Sequence, residues 1–313
     1  MQKTAFLFPG QGSQSVGMGQ AIAASSQQAQ ARLTLIDDAL GEALSSLMVE
    51  GPIDELTLTR NAQPALFASS VAVLAALEEA SGKNISDIAD FVAGHSLGEY
   101  SALAAAGTFD VKDAAHLLRL RGDAMQKAVP VGEGAMAALL GADLELADDI
   151  VKTASAAGLV QIANDNAPGQ IVVSGSCAGV EKAIDVAKKK GLRRVLRLPV
   201  SAPFHCDMMA PAADDMRRAL SATLMKDAEI AVICNITALA ERSAAQLRQN
   251  LVAQVTGRVR WRETLLELSA QGVTRYVEIG TGKVLSGLVK RTVDGADIHA
   301  LETYEDIERF LAL

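Results

Sequence analysis

At 313 residues, with a formal net charge of −8 and half of its residues hydrophobic, the chain is long enough for about two domains, or one large domain carrying an insertion. The acidic balance excludes general nucleic-acid binding. No apolar run of bilayer-spanning length is expected, and Met1-Gln2-Lys3-Thr4 does not read as a signal peptide, so the expectation is a cytoplasmic protein free of the membrane.

Cys177, Cys206 and Cys234 are odd in number and far apart, which fits a reducing compartment, and no metal-ligand spacing occurs among them. Residues 4–8 read as a buried first strand, followed by the loop Pro9-Gly10-Gln11-Gly12-Ser13-Gln14. The glycine-rich loop suggests phosphate binding, but it lacks the Lys-Ser/Thr of a P-loop and any G-x-G-x-x-G. A tight glycine loop instead brings backbone N–H groups close to a ligand, and Gln11 is the candidate donor to an oxyanion. Residues 28–48 and 63–81 read as helices, with connecting structure at 51–52 and 57–64.

Residues 91–93 are a short apolar run leading into Gly94-His95-Ser96-Leu97-Gly98, after which a helix-forming stretch begins. G-x-S-x-G between a strand and a helix is the setting of a nucleophile elbow, with Ser96 as nucleophile at the positive end of the helix. Strand alternation points His95 away from the Ser96 neighbourhood. A helix is expected over 111–129, capped by Asp110 and stopped by Pro130. It carries Arg119 and Arg121, which face different sides, so at most one of them reaches the site; there it would bind a substrate carboxylate.

From residue 134 the pattern changes to strand 135–140, helix 144–156, strands 159–163 and 170–174 joined by residues 164–169, helix 178–190 and strand 194–200. The order β-α-β-β-α-β is that of a ferredoxin-like unit, an insertion over 131–200 that splits the main domain into 1–130 and 201–313. Of the four histidines, His205 lies just past that junction, where sites form, and follows the serine as a base follows its nucleophile. No carboxylate stands out as a third group. Strands at 230–236, 276–279 and 298–301 alternate with helices at 243–255 and 261–271. The expected body is a largely parallel sheet covered on both faces.

The assembled motifs resemble the malonyl-CoA:acyl carrier protein transacylases of fatty acid synthesis and the related acyltransferase domains of polyketide synthases. The resemblance spans essentially the whole chain and rests on F-P-G-Q-G-S-Q at 8–14, G-H-S-L-G-E-Y at 94–100, L-R-G at 120–122, N-x-P-G-Q at 166–170, P-F-H at 203–205 and G-K-V-L-S-G-L-V-K-R at 282–291. It implies an α/β-hydrolase-like parallel-sheet core with an inserted ferredoxin-like domain. It implies Ser96 as the acylated nucleophile, His205 as its base, and Gln11 and Leu97 as oxyanion-hole donors. Arg121 becomes the clamp on the malonyl carboxylate, Asn166 lines the pocket, and the Gln254 backbone carbonyl orients the histidine. Phe204 resembles the malonyl-selecting form. Thr281 departs from the proline common there in the family.

The implied partners are malonyl-CoA and acyl carrier protein, with no metal or other cofactor, and nothing demands more than a monomer. Because carrier proteins are acidic, a local basic patch is needed for docking, and Lys188, Lys189, Lys190, Arg193, Arg194 and Arg197 supply one. A serine thioesterase and a silent scaffold are the competing readings.

Overall fold

The computed structural model describes residues 2–200 and 202–313, so Met1 and Ser201, the latter at the expected domain junction, lie outside it. Among the described residues ten strands form two sheets: β1 (Lys3–Phe8), β2 (Phe91–Gly94), β3 (Gly134–Leu140), β4 (Val160–Ala167), β5 (Gln170–Ser176), β6 (Arg194–Arg197), β7 (Ala231–Ile233), β8 (Ala240–Glu241), β9 (Val273–Ile279) and β10 (Asp297–Leu301). The first sheet has the order β10-β9-β1-β2-β7-β8 and is parallel except for β8, which pairs antiparallel with β7.

Alternation along β1 explains why this sheet is covered on both faces. Phe6 and Phe8 enter one core, with the helix Thr59–Ser81, while Ala5 and Leu7 enter another, with Trp261 and Leu265. Each fully buried phenylalanine contributes about 2 kcal/mol relative to exposure.

The second sheet has the order β4-β5-β3-β6 and is antiparallel. With the helices Leu144–Ala154 and Cys177–Lys189 its elements run β-α-β-β-α-β. Ala135, Ala137 and Leu139 of β3 pack on those helices. Met136 and Ala138, with Val172 of β5, turn the other way and join the core of the first unit. The two units are also stitched through main chain: Val259 accepts from the Asp165 N–H at 3.0 Å and donates to Ala163 O at 2.8 Å.

Several elements differ from expectation. The helix Thr59–Ser81 begins inside the stretch expected to be a connection, and at 23 residues it is long and apolar enough to cross a membrane. It is instead a core helix, buried almost continuously from residue 59 to 77. Pro64 is tolerated within it because the Arg60 carbonyl, which a proline cannot engage, accepts from the Arg119 guanidinium. The helix expected over 28–48 is two helices, Gln27–Leu40 and Leu44–Glu50, broken at Gly41 with φ 63°. Residues 164–167 are strand, with two register shifts against β5, so only Pro168 and Gly169 make the turn. The strand expected over 194–200 ends at Arg197.

Candidate active site

The carboxyl ends of the adjacent strands β1, β2 and β7 deliver the loop of Gln11, the turn of Ser96 and Asn235 to one point, the usual position for a ligand in an open α/β sheet. The turn after β2 is too tight for side chains at its two glycines. A Cβ on Gly94 would lie 1.8 Å from Gly98 O, and one on Gly98 would lie 2.3 Å from Phe8 O. Ser96 between them sits at φ 53°, in the left-handed region where a non-glycine residue is uncommon. Gly10 in the first loop presses on the same turn, its Cβ position being 2.6 Å from His95 O. Gly10, Gly94 and Gly98 are thus explained by close approach of backbone to backbone, and Gly12 by its φ of 106°.

Ser96 Oγ lies 2.8 Å from His205 Nε2, and His205 Nδ1 lies 2.9 Å from the Gln254 backbone carbonyl. A carbonyl only accepts, so Nδ1 carries the proton and Nε2 is left as the acceptor for the Ser96 hydroxyl. His205 is itself at φ 59°; of the three non-glycine residues described with positive φ, two are this serine and histidine. Burial first, and the Arg121 charge second, push the His205 ring down to about 3, which keeps it neutral. Carboxylate assistance is absent from this pair among the described residues, and a peptide carbonyl takes that place.

Arg121 is 1% exposed and reaches the same point. Its Nη1 donates to Gln63 Oε1 at 2.7 Å, and its Nη2 donates to Gln254 Oε1 at 2.9 Å and to Ser96 Oγ at 3.2 Å. Arg119, two residues earlier on the helix Val111–Ala128, faces away, bonded to Asn61 and paired with Glu42. The two-residue spacing therefore sorts the arginines as expected, although Arg119 is mostly buried rather than solvated.

A cavity of about 170 Å³ opens over these groups, lined by Gln11, Ser96, Leu97, Arg121, Asn166, Phe204 and His205 among others. Ser96, His205, Gln11, Leu97, Arg121, Asn166 and Phe204 line it, and Gln254 holds the pair beneath it, whereas Arg119 does not reach it. The backbone N–H groups of Gln11 and Leu97 have no acceptor among the described residues, as donors held for an incoming oxyanion require. Thr59 Oγ1 donates to Gln11 Oε1 at 3.1 Å, fixing that side chain. His95 corrects the alternation argument: β2 ends at Gly94, the turn rotates the next residues, and His95 lines the cavity with Nε2 2.8 Å from Asn166 Oδ1. Thr281 is accommodated where a proline was expected, its hydroxyl donating to Glu302 at 2.6 Å.

Sequence reasoning missed Glu99, Asn235 and Gln63. Asn235 Oδ1 accepts the Ser96 N–H at 2.7 Å while its Nδ2 donates to Gly94 O at 2.7 Å, so one side chain spans the turn. Only Glu99 carried a signal, as a carboxylate three residues past the serine in a helix that otherwise reads apolar.

A serine hydroxyl against a neutral imidazole, two free N–H donors and a buried cation beside the hydroxyl make a site for transferring a carboxylate-bearing acyl group. The comparisons agree. The acyl transferase domain family matches residues 5–307. The Bacillus subtilis protein named malonyl CoA-acyl carrier protein transacylase is 48% identical over 309 residues, covering 98% of this chain and 96% of its own. The crystal structure of an acyl-carrier-protein S-malonyltransferase from Bartonella henselae superimposes with a TM-score of 0.97 at 50% identity, over 99% of this chain and 98% of that one. A malonyl-transacylase in complex with its type II PKS acyl-carrier protein superimposes with a TM-score of 0.95 at 40% identity, over 99% of both chains. The chain belongs to the acyl transferase domain family, among the malonyl CoA-acyl carrier protein transacylases.

Proposed function

We propose that this chain transfers the malonyl group from malonyl-CoA to the phosphopantetheine thiol of acyl carrier protein, in fatty acid synthesis, through a malonyl ester on Ser96. The observation that carries this reading is the buried Arg121 guanidinium 3.2 Å from Ser96 Oγ. A cation there has no use in handling a neutral acyl chain, and it matches the free carboxylate of a malonyl group by paired hydrogen bonds.

In the first half-reaction the Ser96 hydroxyl gives its proton to His205 Nε2 as Oγ attacks the thioester carbonyl. The oxyanion that forms is met by the N–H groups of Gln11 and Leu97. Collapse breaks the C–S bond, and the departing CoA sulfur takes the proton from His205. In the second half the carrier thiol gives its proton to His205, its sulfur attacks the ester carbonyl, and Ser96 leaves with the proton restored. The Gln254 carbonyl holds the ring in the required tautomer throughout. Phe204, with Met136 and Leu198, narrows the cavity around the acyl group, and Asn166 holds its polar side.

We further infer that the first sheet and its helices are an α/β-hydrolase-like body, and that residues 131–200 are an inserted ferredoxin-like unit whose basic face meets the acidic carrier. The unpaired state of Cys177, Cys206 and Cys234 supports a reducing compartment, the cytoplasm.

Intact mass after brief incubation with malonyl-CoA tests the reading. A malonyl-sized adduct that needs Ser96 and disappears on adding carrier protein is expected. Steady CoA release with no adduct points to a hydrolase, and neither adduct nor release to a protein without acyl chemistry.

A further inference from the structure

Glu99 lies on the helix Gly98–Ala105 at 1% exposure, and no step of the transfer uses it. A carboxyl removed from water needs a reason, because desolvation of such a group is costly. Its Oε2 accepts from the Asn235 backbone N–H at 3.1 Å and from Gln254 Nε2 at 2.8 Å. Its Oε1 has no hydrogen-bond partner, and the Cys234 thiol and the Arg121 charge act on the carboxyl as well. The two residues it holds are the two that frame the reacting pair. Asn235 takes the Ser96 N–H, and Gln254 takes the His205 ring through its main chain and Arg121 through its side chain.

We propose that Glu99 is a positioning residue that sets which way round the Gln254 amide sits, and through it the aim of Arg121 at the acyl carboxylate. The reasoning is one of donor and acceptor count. A primary amide has one end that donates and one that accepts. Gln254 Nε2 points at three acceptors: Glu99 Oε2, Ser96 O at 2.9 Å and Asn235 Oδ1 at 3.4 Å. That leaves Oε1 for the Arg121 guanidinium. Turned over, the amide would set NH2 against a guanidinium and carbonyl against carboxyl, two repulsive contacts in place of two bonds. Without an acceptor at position 99 the upright amide loses its 2.8 Å bond and the turned amide loses one of its two repulsive contacts, so the preference is weakened at its carboxyl end. Burial pushes Glu99 up to about 7, against the Gln254, Asn235 and Arg121 contacts, so it gains a proton readily. The vacant Oε1 can hold that proton while Oε2 continues to accept, so the amide keeps its sense in either state.

The inference rests on the malonyl-transfer reading, and its test separates the two. Acylation of Ser96 is followed by rapid-quench mass spectrometry with malonyl-CoA and with acetyl-CoA, in the wild type, Glu99→Gln and Glu99→Met. Gln presents an acceptor to the same two donors and its NH2 to the vacant side, whereas Met fills the volume without an acceptor. The expected result is a malonyl-over-acetyl preference near the wild-type value in Glu99→Gln and reduced roughly tenfold or more in Glu99→Met. A loss of stability alone lowers both acylations together and leaves their ratio where it was. A folded Glu99→Met with the wild-type ratio overturns the inference while leaving the function intact. If Met is not tolerated, Glu99→Ala is read in the same way. Failure of the wild type to take malonyl overturns the reading beneath it.

Discussion

The two sheets use opposite means to build one cavity. In the six-stranded body Ser96 and Asn235 stand just past the ends of parallel strands, Ser96 on a turn packed so closely that glycine is required. His205 meets them from the loop before the helix Ala210–Ala222, within a buried net of amides and charges. In the four-stranded unit the cavity wall is the back of an antiparallel sheet, Met136 and Val172, with Asn164 and Asn166 as its polar members. That unit contributes no proton-transfer group. It is held to the body by the main-chain pairing at Val259 and by Arg262 against the buried Asp165. Under the proposed function bond making falls to the body, whereas the small unit lines the cavity and presents a charged outer face.

The largest effect expected from this division is at Ser96. Ser96→Ala lowers malonyl transfer more than about a thousandfold, since residues acting as a unit with their base fail together. The adduct mass and the steady-state rate both report it. Next is Arg121. Removing a buried partner of a charged pair costs about 2–5 kcal/mol, so Arg121→Ala lowers malonyl acylation at least about thirtyfold. It also narrows the gap to acetyl-CoA, which lacks the carboxylate. An unchanged malonyl-to-acetyl ratio removes Arg121 from the clamp.

Acid pH probes the body alone, through the His205 ring. An unperturbed histidine titrates near 6.5, and at pH 5 protonation would already remove about thirtyfold of the base. His205, held near 3 by burial and by Arg121, loses almost none, so kcat/KM for acylation stays level on the acid side down to about pH 5. Stability moves the other way. The unfolded chain takes up a proton at this residue below about 6.5 that the folded chain refuses until near 3, so this contribution to folding is full above about 6.5 and lost as pH falls toward 3. An acid limb near 6.5 in kcat/KM contradicts this account of the ring.

How far the sequence could be read follows from the same contrast. Glycine spacing and strand-to-helix context made the Ser96 turn legible, because local sterics dictate both. The β-α-β-β-α-β order was legible for the same local reason. Two arginines on one helix could be told apart only as facing differently, and the resemblance chose Arg121. What was not legible depends on residues far apart in the chain. Asn235 stands 139 positions from the serine whose N–H it accepts, and nothing in its neighbourhood marks it. His95 was misplaced because alternation was extended one residue past the end of β2. The helix was expected to start at residue 63, with 57–64 as connecting structure, whereas it starts at Thr59, and an arginine from the next long helix supplies the partner that Pro64 cannot.

On the small unit's side Asn166 is the sharpest probe. Asn166→Ala leaves His95 Nε2 without its acceptor and removes a polar group from the cavity. One unpaired, half-buried donor costs about 1.4 kcal/mol at most, so a loss of up to about tenfold in acylation by malonyl-CoA is expected. A loss as large as that of Arg121→Ala breaks the division, since it would place the small unit in the bond-making step.

The smallest effect is expected on the outer face. Lys190 pairs with Asp149 and Arg197 with Glu181, so two of the six basic residues are already engaged. Lys188, Lys189, Arg193 and Arg194 are exposed and have no ion pair among the described residues. Charges in such a position steer an acidic partner more than they grip it, and salt screens them. Lys189→Glu with Arg193→Glu is therefore expected to raise KM for acyl carrier protein about three- to tenfold at low salt, and less as salt is added. The first half-reaction does not involve the carrier, so the adduct formed from malonyl-CoA should appear at the wild-type rate. Equal weakening toward both substrates moves the docking face elsewhere, because a patch that serves only the carrier has no route to the malonyl-CoA step.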